Sequence, residues 1–288
     1  MIKKNNCISS CNKNHKIIYN IKTENFIFCK QCSTLYRKNI DEYKNKVINF
    51  EKFNKNVKDV ISTEYYRLQI DEHKSILKKI LKKIKKKPEF ILDYGCGYGV
   101  FMFAAKEKGY AVEGYDINKN FTTNLDLYFK TYKSEEELSK VTLDKKFDLI
   151  FCKKVLTLSP NIYSDFSNFD KLLSPTGTLV IMDQVKNLSK YKSILSGNND
   201  NNTLLLTIET LNFFGNIFKL RTKYLENDFG DVLIMFEKSD FQNNKKKISI
   251  KTLENYEKLS SLFMCLSKIK NLIKNLIKKS FINSTKPI

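Results

Sequence analysis

Short apolar runs alternate with helical patterns between residues 90 and 240. Three of these runs, Phe90–Tyr94, Tyr110–Asp116 and Phe147–Cys152, have the length and composition of buried strands. Between the first two, Val100–Lys108 has the apolar spacing of a helix. Strands that alternate with helices predict an α/β fold, in which a mostly parallel sheet carries helices on both faces.

The alternation continues through the second half of this region. Leu172–Met182 predicts the end of a helix, a Pro/Gly turn and a further strand, and Ser196–Asn202 has the composition of a loop. Thr207–Phe214 predicts a helix, and Asp231–Glu237 predicts a late strand. We therefore expect residues 90–240 to form one domain with a core of its own.

Three other segments have different patterns. Residues 1–36 hold four of the seven cysteines, and residues 37–89 predict a helical linker or lid that ends in a lysine-dense stretch. Residues 241–288 predict a basic, amphipathic helical tail. Two interpretations of this tail stay open: peripheral contact with an anionic membrane surface, or packing against the protein or a second subunit.

The loop after the first predicted strand carries the strongest chemical signal. Gly95, Gly97 and Gly99 alternate with other residues, directly behind the strand residue Asp93 and ahead of the predicted helix. Glycines at such a turn let the backbone bend sharply and approach a ligand closely. A second acidic residue, Asp116, ends the next strand, where its carboxylate could accept hydrogen bonds from both ribose hydroxyls of a nucleoside.

The glycine spacing excludes one common cofactor class. A dinucleotide fingerprint reads G-x-G-x-x-G/A. Counted from Gly95, the third position is Val100, and counted from Gly97 it is Met102. Neither residue is glycine or alanine, so the loop is not a dinucleotide site of that type.

The observed D-x-G-x-G-x-G spacing resembles motif I of the class I S-adenosylmethionine-dependent methyltransferases, which have a Rossmann-like fold. Phe147–Leu156 and Leu173–Ile181 resemble the fourth-strand motif of that family and the helix–turn–strand that follows it. The resemblance covers about residues 90–238 and implies S-adenosylmethionine as cofactor. It assigns the following residues to cofactor binding: Asp93, Tyr94, Gly95, Gly97, Gly99, Asp116, Ile117 beside the adenine, and Lys153 facing cofactor and substrate.

The sequence departs from the family after the fourth strand. Many relatives carry Glu-His there, whereas Val155-Leu156 is followed by Thr157-Leu158. A histidine base therefore cannot be transferred by resemblance. Asp183 and Lys154 are candidate bases, but charged loop residues of this kind are usually only solvated, and we assign no catalytic residue.

Two cysteine pairs in the first segment predict a metal site. Cys7, Cys11, Cys29 and Cys32 approximate the spacing of a four-thiolate zinc site, which leaves no open position and is therefore structural. Such a ribbon before this core resembles a bacterial methyltransferase subgroup that acts on sugars, surface-polysaccharide precursors or small metabolites. In that subgroup the ribbon helps to cover the substrate cleft.

Charge and compartment restrict the choice of partner. The formal net charge is +20, but only three of the 51 basic residues are arginine, the side chain on which base-reading and phosphate-clamping proteins most depend. We therefore expect nucleic acid to be an unlikely partner. The chain has neither an apolar run of membrane-spanning length nor a signal peptide, so we expect it to be cytoplasmic.

Three functions follow for testing. The first is S-adenosylmethionine-dependent methyl transfer to a small molecule, with a sugar or surface-glycan precursor as the favoured acceptor. The alternatives are an RNA methyltransferase, which the basic charge favours, and a non-catalytic zinc-ribbon protein with a degenerate methyltransferase core, which the missing Glu-His favours. The sequence specifies neither the acceptor atom nor the oligomeric state.

Overall fold

A seven-stranded sheet forms the centre of the part of the chain described by the computed structural model. The described residues are 26–29, 32, 34–37, 57–141, 145–186, 204–228 and 231–238. Several predictions lie outside these ranges, namely those for Cys7, Cys11, the loop Ser196–Asn202 and the tail at 241–288. Within the described residues, no helix is long and apolar enough to cross a membrane.

The bounds of the elements are as follows. The helices are α1 (Val57–Ile61), α2 (Glu64–Leu81), α3 (Val100–Glu107), α4 (Lys119–Leu125), α5 (Glu135–Val141), α6 (Ile162–Leu172) and α7 (Ile208–Ile217), and Leu156–Leu158 form a 3-10 helix. The strands are β1 (Phe26–Phe28), β2 (Leu35–Arg37), β3 (Phe90–Tyr94), β4 (Ala111–Tyr115), β5 (Thr131–Tyr132), β6 (Phe147–Lys153), β7 (Leu173–Asp183), β8 (Val185–Lys186), β9 (Leu204–Thr207), β10 (Leu220–Asp228) and β11 (Asp231–Lys238).

The large sheet is mostly parallel, as the sequence predicts. Its strand order is β10-β11-β7-β6-β3-β4-β5. The five strands from β7 to β5 run parallel, whereas β11 is antiparallel to both β7 and β10. Helices connect the parallel strands, which confirms the predicted Rossmann-like class.

The register of the central strands brings three strand ends together. Asp93 in β3 pairs with Gly114 in β4 on one side and with Phe151 in β6 on the other. Ligands of open α/β sheets bind at the carboxyl ends of such strands. The glycine loop that follows β3 therefore begins where ligands of this fold are expected.

Helix α2 covers one face of the sheet close to that edge. Thr63 caps the helix by accepting a hydrogen bond from the Tyr66 backbone N–H, at 3.2 Å from N to Oγ1. The buried residues of α2 recur every three or four positions and form one face, which packs toward Phe101, Phe151 and Ile91. That face consists of Tyr66, Ile70, His73, Ile76, Leu77 and Ile80.

Two parts of the large sheet after β6 differ from the prediction. The expected Pro/Gly turn is an irregularity inside the long strand β7, where the pairing with β6 jumps from Leu173 to Thr178 while Pro175 and Thr176 project into solvent. Strand β10 was not predicted, because its nine residues mix charged and apolar side chains without a clear alternation.

A second, four-stranded sheet has the order β1-β2-β9-β8. The hairpin β1–β2 pairs through β2 with β9, and β9 pairs with β8, which follows β7 almost directly. Cys29, Cys32 and Tyr36 of the hairpin are buried in the same core cluster as Leu204 and Leu206 of β9. The hairpin is thus joined to the carboxyl-end side of the large sheet.

Candidate active site

The glycine loop is fixed to the end of the neighbouring strand. Gly95, Gly97 and Gly99 have φ values of 80°, 51° and 74°, in the left-handed region that favours glycine. The backbone N–H groups of Gly95 and Cys96 both donate to the carbonyl oxygen of Tyr115, at 2.7 and 2.9 Å. These bonds hold the loop against β4, one residue before Asp116.

One glycine of the three faces open space. A Cβ atom placed on Gly95 would lie 2.1 Å from Val155 Cγ2, and one on Gly99 would lie 2.8 Å from Leu125 Cδ2. A Cβ atom on Gly97 would have no atom of the described residues within 4 Å. The loop is therefore packed at both ends and open at Gly97, where a ligand can approach the backbone.

The Asp116 carboxylate turns toward this opening. Its Oδ2 accepts a hydrogen bond from the Gly97 N–H at 2.9 Å, and its Oδ1 accepts one from the Asn118 N–H at 2.8 Å. Burial raises the pKa of Asp116 to about 6, against the opposing effect of these two N–H donors. Each oxygen keeps acceptor capacity for a further donor, such as a hydroxyl group.

Asp93 is the second carboxylate at this edge. Its side chain is only 4% exposed, and no hydrogen bond to its carboxylate comes from any residue that the structure describes. Burial and the nearby charge of Asp116 raise its pKa to about 8, while the charge of Lys153 lowers it. A buried carboxyl group without a donor is costly, and such groups concentrate at functional sites.

Apolar surface adjoins the Asp116 carboxylate. Ile117 directly follows it in the chain and is 47% exposed, although it is a large hydrophobic residue. Tyr94, by contrast, points to the opposite face of the sheet, where its hydroxyl donates to Asp165 Oδ1 at 2.8 Å. Of the predicted residues, the side chain of Ile117 is therefore available at the edge, whereas Tyr94 can contribute only its backbone.

Lys153 lies between the sheet and helix α2. Its ammonium group is 3.2 Å from His73 Nε2 and 3.3 Å from Glu72 Oε1. The sequence predicts a place for Lys153 at the cofactor site. It does not predict the contact with His73, which is 80 residues away along the chain. The available signal was the position of His73 on the apolar face of α2, where a histidine needs a polar partner.

The two candidate bases lie at neighbouring strand ends, Lys154 directly after β6 and Asp183 at the end of β7, beside the corner that follows β6. Lys154 has a φ of 56° and pairs with Asp231 at 3.4 Å, and more than half of its side chain is exposed. Asp183 is buried and accepts hydrogen bonds from the Thr157 hydroxyl, the Thr157 N–H and the Gln184 N–H. Its acceptor sites are largely occupied by the protein, so Asp183 stabilises this corner rather than facing a substrate.

The predicted metal ligands are divided by the described ranges. Cys29 and Cys32 flank the tip of the β1–β2 hairpin, and the Cys29 N–H donates to the Thr34 carbonyl at 2.9 Å. Both side chains are buried. Cys7 and Cys11 lie outside the described residues, and within those residues no group of three metal-ligating side chains comes together.

The fold and this edge define an α/β protein that can hold a nucleoside on a glycine loop, opposite a carboxylate. Residues 64–255, well over half of the chain, match the family model described as a methyltransferase domain. The chain belongs to this methyltransferase family.

One relative of known name is similar to half of this chain. A tRNA U34 carboxymethyltransferase of Nautilia profundicola is 26% identical over 188 residues, and the match covers 50% of this chain and 63% of that relative. The chain thus spans less than two thirds of the length of this curated relative.

Two crystal structures share the fold, each with a TM-score of 0.50. The PH0226 protein of Pyrococcus horikoshii is 16% identical, over 62% of this chain and 93% of that one. The 1,6-didemethyltoxoflavin-N1-methyltransferase of Burkholderia thailandensis, solved with bound 1,6-didemethyltoxoflavin and S-adenosylhomocysteine, is 14% identical, over 69% of this chain and 90% of that one.

Proposed function

We propose that the protein transfers a methyl group from S-adenosylmethionine to a small-molecule acceptor. The arrangement of Gly97 and Asp116 carries this proposal, because it combines an open backbone position with a carboxylate whose remaining acceptor sites suit ribose hydroxyls. Membership in the methyltransferase family supports the same reaction.

The residues at the edge fit the parts of the cofactor. Asp116 would hold the two ribose hydroxyls, and Ile117 would cover the adenine with its exposed side chain. Asp93, a buried carboxylate that lacks donors among the described residues, would receive the ammonium group of the methionine part. When bound, the cofactor supplies an electrophilic methyl on a sulfonium, and the protein must align a nucleophile with it.

A small acceptor, such as a sugar or surface-glycan precursor, is the favoured substrate. The second sheet supports this, because β8 and β9 follow the carboxyl end of β7 and β9 contacts the 3-10 helix after β6. These elements would border one side of the edge at which the acceptor would enter. Tyr65 of α2 is 70% exposed, and its ring would be free to stack on a sugar if the acceptor reaches this helix.

RNA is the second candidate acceptor. The relative from Nautilia profundicola is named for a tRNA substrate, and the net charge of +20 would attract phosphates. The scarcity of arginine argues against base-specific contacts.

Methyl-labelled cofactor distinguishes these acceptors. Purified full-length protein is incubated with labelled S-adenosylmethionine and cell extract, and the extract is then divided into RNA, protein and small-molecule fractions. We expect label in the small-molecule fraction that resists ribonuclease and protease. Label confined to ribonuclease-sensitive material would replace this acceptor with RNA, and no labelled product from any extract tested would contradict the transfer itself.

We also propose a structural zinc ion on the N-terminal cysteine pairs. Cys29 and Cys32 support it, because they follow strand β1 and precede strand β2 with two residues between them, which is the spacing of a thiolate ligand pair in zinc ribbons. Elemental analysis of the full chain should find one zinc per protein, and a Cys29→Ser/Cys32→Ser variant should lose it. Absence of zinc from protein purified without chelators would overturn the proposal.

A further inference from the structure

The ammonium group of Lys153 is held by a histidine of the covering helix. Lys153 ends β6, and its side chain is 17% exposed. Its Nζ lies 3.2 Å from His73 Nε2, on the protein side, and 3.3 Å from Glu72 Oε1, a side chain that is 56% exposed. The contact with His73 is the more buried of the two and is therefore less screened by solvent.

The chemical state of His73 is fixed by its surroundings. Its Nδ1 lies 2.7 Å from the Gln69 carbonyl oxygen, an acceptor, so Nδ1 carries a hydrogen, and in the neutral ring Nε2 then presents a lone pair. Burial, and next the charge of Lys153, lower the pKa of His73 to about 4. The rings of Phe101 and Phe151 flank the imidazole edge to face, at centroid distances of 6.4 and 6.3 Å, and restrict its rotation.

Lys153 and Asp93 share one face of the sheet. Asp93 pairs with Phe151 across β3 and β6, and Lys153 lies two residues beyond Phe151, on the same side of the strand. The charge of Lys153 acts on Asp93, whose carboxylate has no hydrogen bond from the described residues. A cation held at this point is the nearby positive charge that favours the ionised carboxylate.

We propose that His73 is a positioning residue, which accepts a hydrogen bond from the Lys153 ammonium and so holds that cation beside Asp93, where it sets the charge that Asp93 presents to the cofactor. This inference rests on the proposed function, because it concerns the carboxylate assigned to the cofactor's ammonium group. His73 acts only through Lys153 and touches neither cofactor nor acceptor.

Other groups also act on or near these residues, and all of them except Lys153 and Glu72 are unchanged in every variant of the test below. The charges of Asp116, after β4, and Lys153 of β6 act on Asp93, and the Asp93 charge in turn raises the pKa of Tyr66 of α2, of Cys96 in the glycine loop and of Cys152 in β6. His73 is influenced by Lys153, Glu72 and Lys154. Of these groups, only Lys153 links the two residues.

The pH dependence of cofactor binding tests the inference. Binding of S-adenosylhomocysteine, which has the same ammonium and ribose groups and no methyl to transfer, is measured by calorimetry from pH 6 to 9.5 on the full chain. In His73→Phe, Lys153 loses its inner partner, and we expect the midpoint for binding to rise by about one pH unit, which weakens binding about fivefold at pH 7. The affinities should converge at pH 9.5. The ligand's own titration is the same for every variant and cancels in the comparison.

Three further variants separate positioning from packing. His73→Gln keeps an acceptor for Lys153 and should keep the wild-type midpoint. Lys153→Met, at the rim of the core, should raise the midpoint at least as far as His73→Phe, and the double variant should go no further than Lys153→Met. Glu72→Gln removes only the exposed partner and should change little.

The outcomes are distinct. If the wild-type protein does not bind S-adenosylhomocysteine, the proposed function fails. If it binds, and His73→Phe or Lys153→Met weakens binding by the same factor at every pH, or not at all, the positioning role is wrong and the proposed function stands.

Discussion

Two pairs of aspartates lie near the carboxyl edge of the same sheet, and their surroundings differ. Asp165 and Asp183 are buried and accept hydrogen bonds from protein donors, Asp165 from Tyr94 and Ser159, and Asp183 from Thr157 and Gln184. Among the described residues, Asp93 accepts no such bond. Asp116 accepts bonds there only from backbone donors, the N–H of Gly97 in the loop that it faces and the N–H of Asn118 two residues further along the chain.

Burial raises the pKa of all four carboxyl groups, so the raised pKa does not separate structural from ligand-binding roles. The supply of donors does separate them. A carboxylate whose acceptor sites are filled by the protein stabilises the fold, whereas one with vacant acceptor sites beside an open backbone position can bind a ligand. The proposal that the cofactor binds at β3–β4, and that the corner after β6 is structural, rests on this difference.

The largest effect is expected at Asp116. Asp116→Ala removes the acceptor for both ribose hydroxyls, and two hydrogen bonds to a charged group contribute about 3 kcal/mol together, so binding of S-adenosylhomocysteine should weaken about a hundredfold. Calorimetry measures this, and Asp116→Asn, which keeps one acceptor oxygen, should lose less. Affinity within threefold of wild type in the alanine variant would remove Asp116 from the site.

Asp93 should show opposite effects on binding and on stability. Its folded-state pKa of about 8 lies above its ordinary value, so the folded protein binds more protons than the unfolded chain, and stability falls as pH rises from about 4 to about 8. Asp93→Asn removes this loss. The variant should bind S-adenosylhomocysteine about tenfold more weakly at pH 7, yet melt about 2–4 °C higher than wild type at pH 8.

This stability gain should disappear at low pH. Near pH 4 the wild-type carboxyl group is already protonated in the folded protein, so the two melting temperatures should converge. A variant that is less stable than wild type at pH 8 would mean that the folded protein stabilises the Asp93 charge. That result would contradict the assignment of Asp93 as a carboxylate to which the protein supplies too few donors.

The smallest effect on ligand binding is expected around Asp165 and Asp183, whose carboxylates already accept hydrogen bonds from the protein. Thr157→Val keeps the shape of the side chain but removes the hydroxyl that donates to buried Asp183, which should cost about 1–3 kcal/mol of unfolding free energy in urea. Affinity for S-adenosylhomocysteine should stay within twofold of wild type. A large loss of affinity without a loss of stability would show that Asp183 serves the ligand after all.

Local patterns in the sequence were enough to predict the loop and the central strands. The strand Phe90–Tyr94, the three glycines and Asp116 at the end of the next strand are set by short-range periodicity and backbone conformation, and the fold confirms where they lie.

Contacts between distant segments could not be predicted in the same way. The His73–Lys153 contact depends on how α2 packs over β6, and the pairing of the β1–β2 hairpin with β9 joins segments more than 160 residues apart. Whether the protein itself supplies hydrogen-bond donors to an aspartate likewise depends on other elements. The sequence could therefore suggest Asp183 as a candidate base but could not reveal Thr157 as its hydrogen-bond partner.

Two glycines with matched backbones give the most direct test of the cofactor site. Gly97 and Gly109 have φ values of 51° and 79°, and a Cβ atom on either would have no described atom within 4 Å. Alanine at either position should therefore cost a similar, small free energy of unfolding, about 1 kcal/mol. Only Gly97 lies at the proposed site.

The decisive measurement is calorimetry of S-adenosylhomocysteine with wild type, Gly97→Ala and Gly109→Ala at one pH. The account predicts binding by wild type, unchanged affinity in Gly109→Ala and an affinity at least about tenfold lower in Gly97→Ala. Equal affinity in the two variants, or no binding by the folded wild-type protein at millimolar ligand, would contradict it.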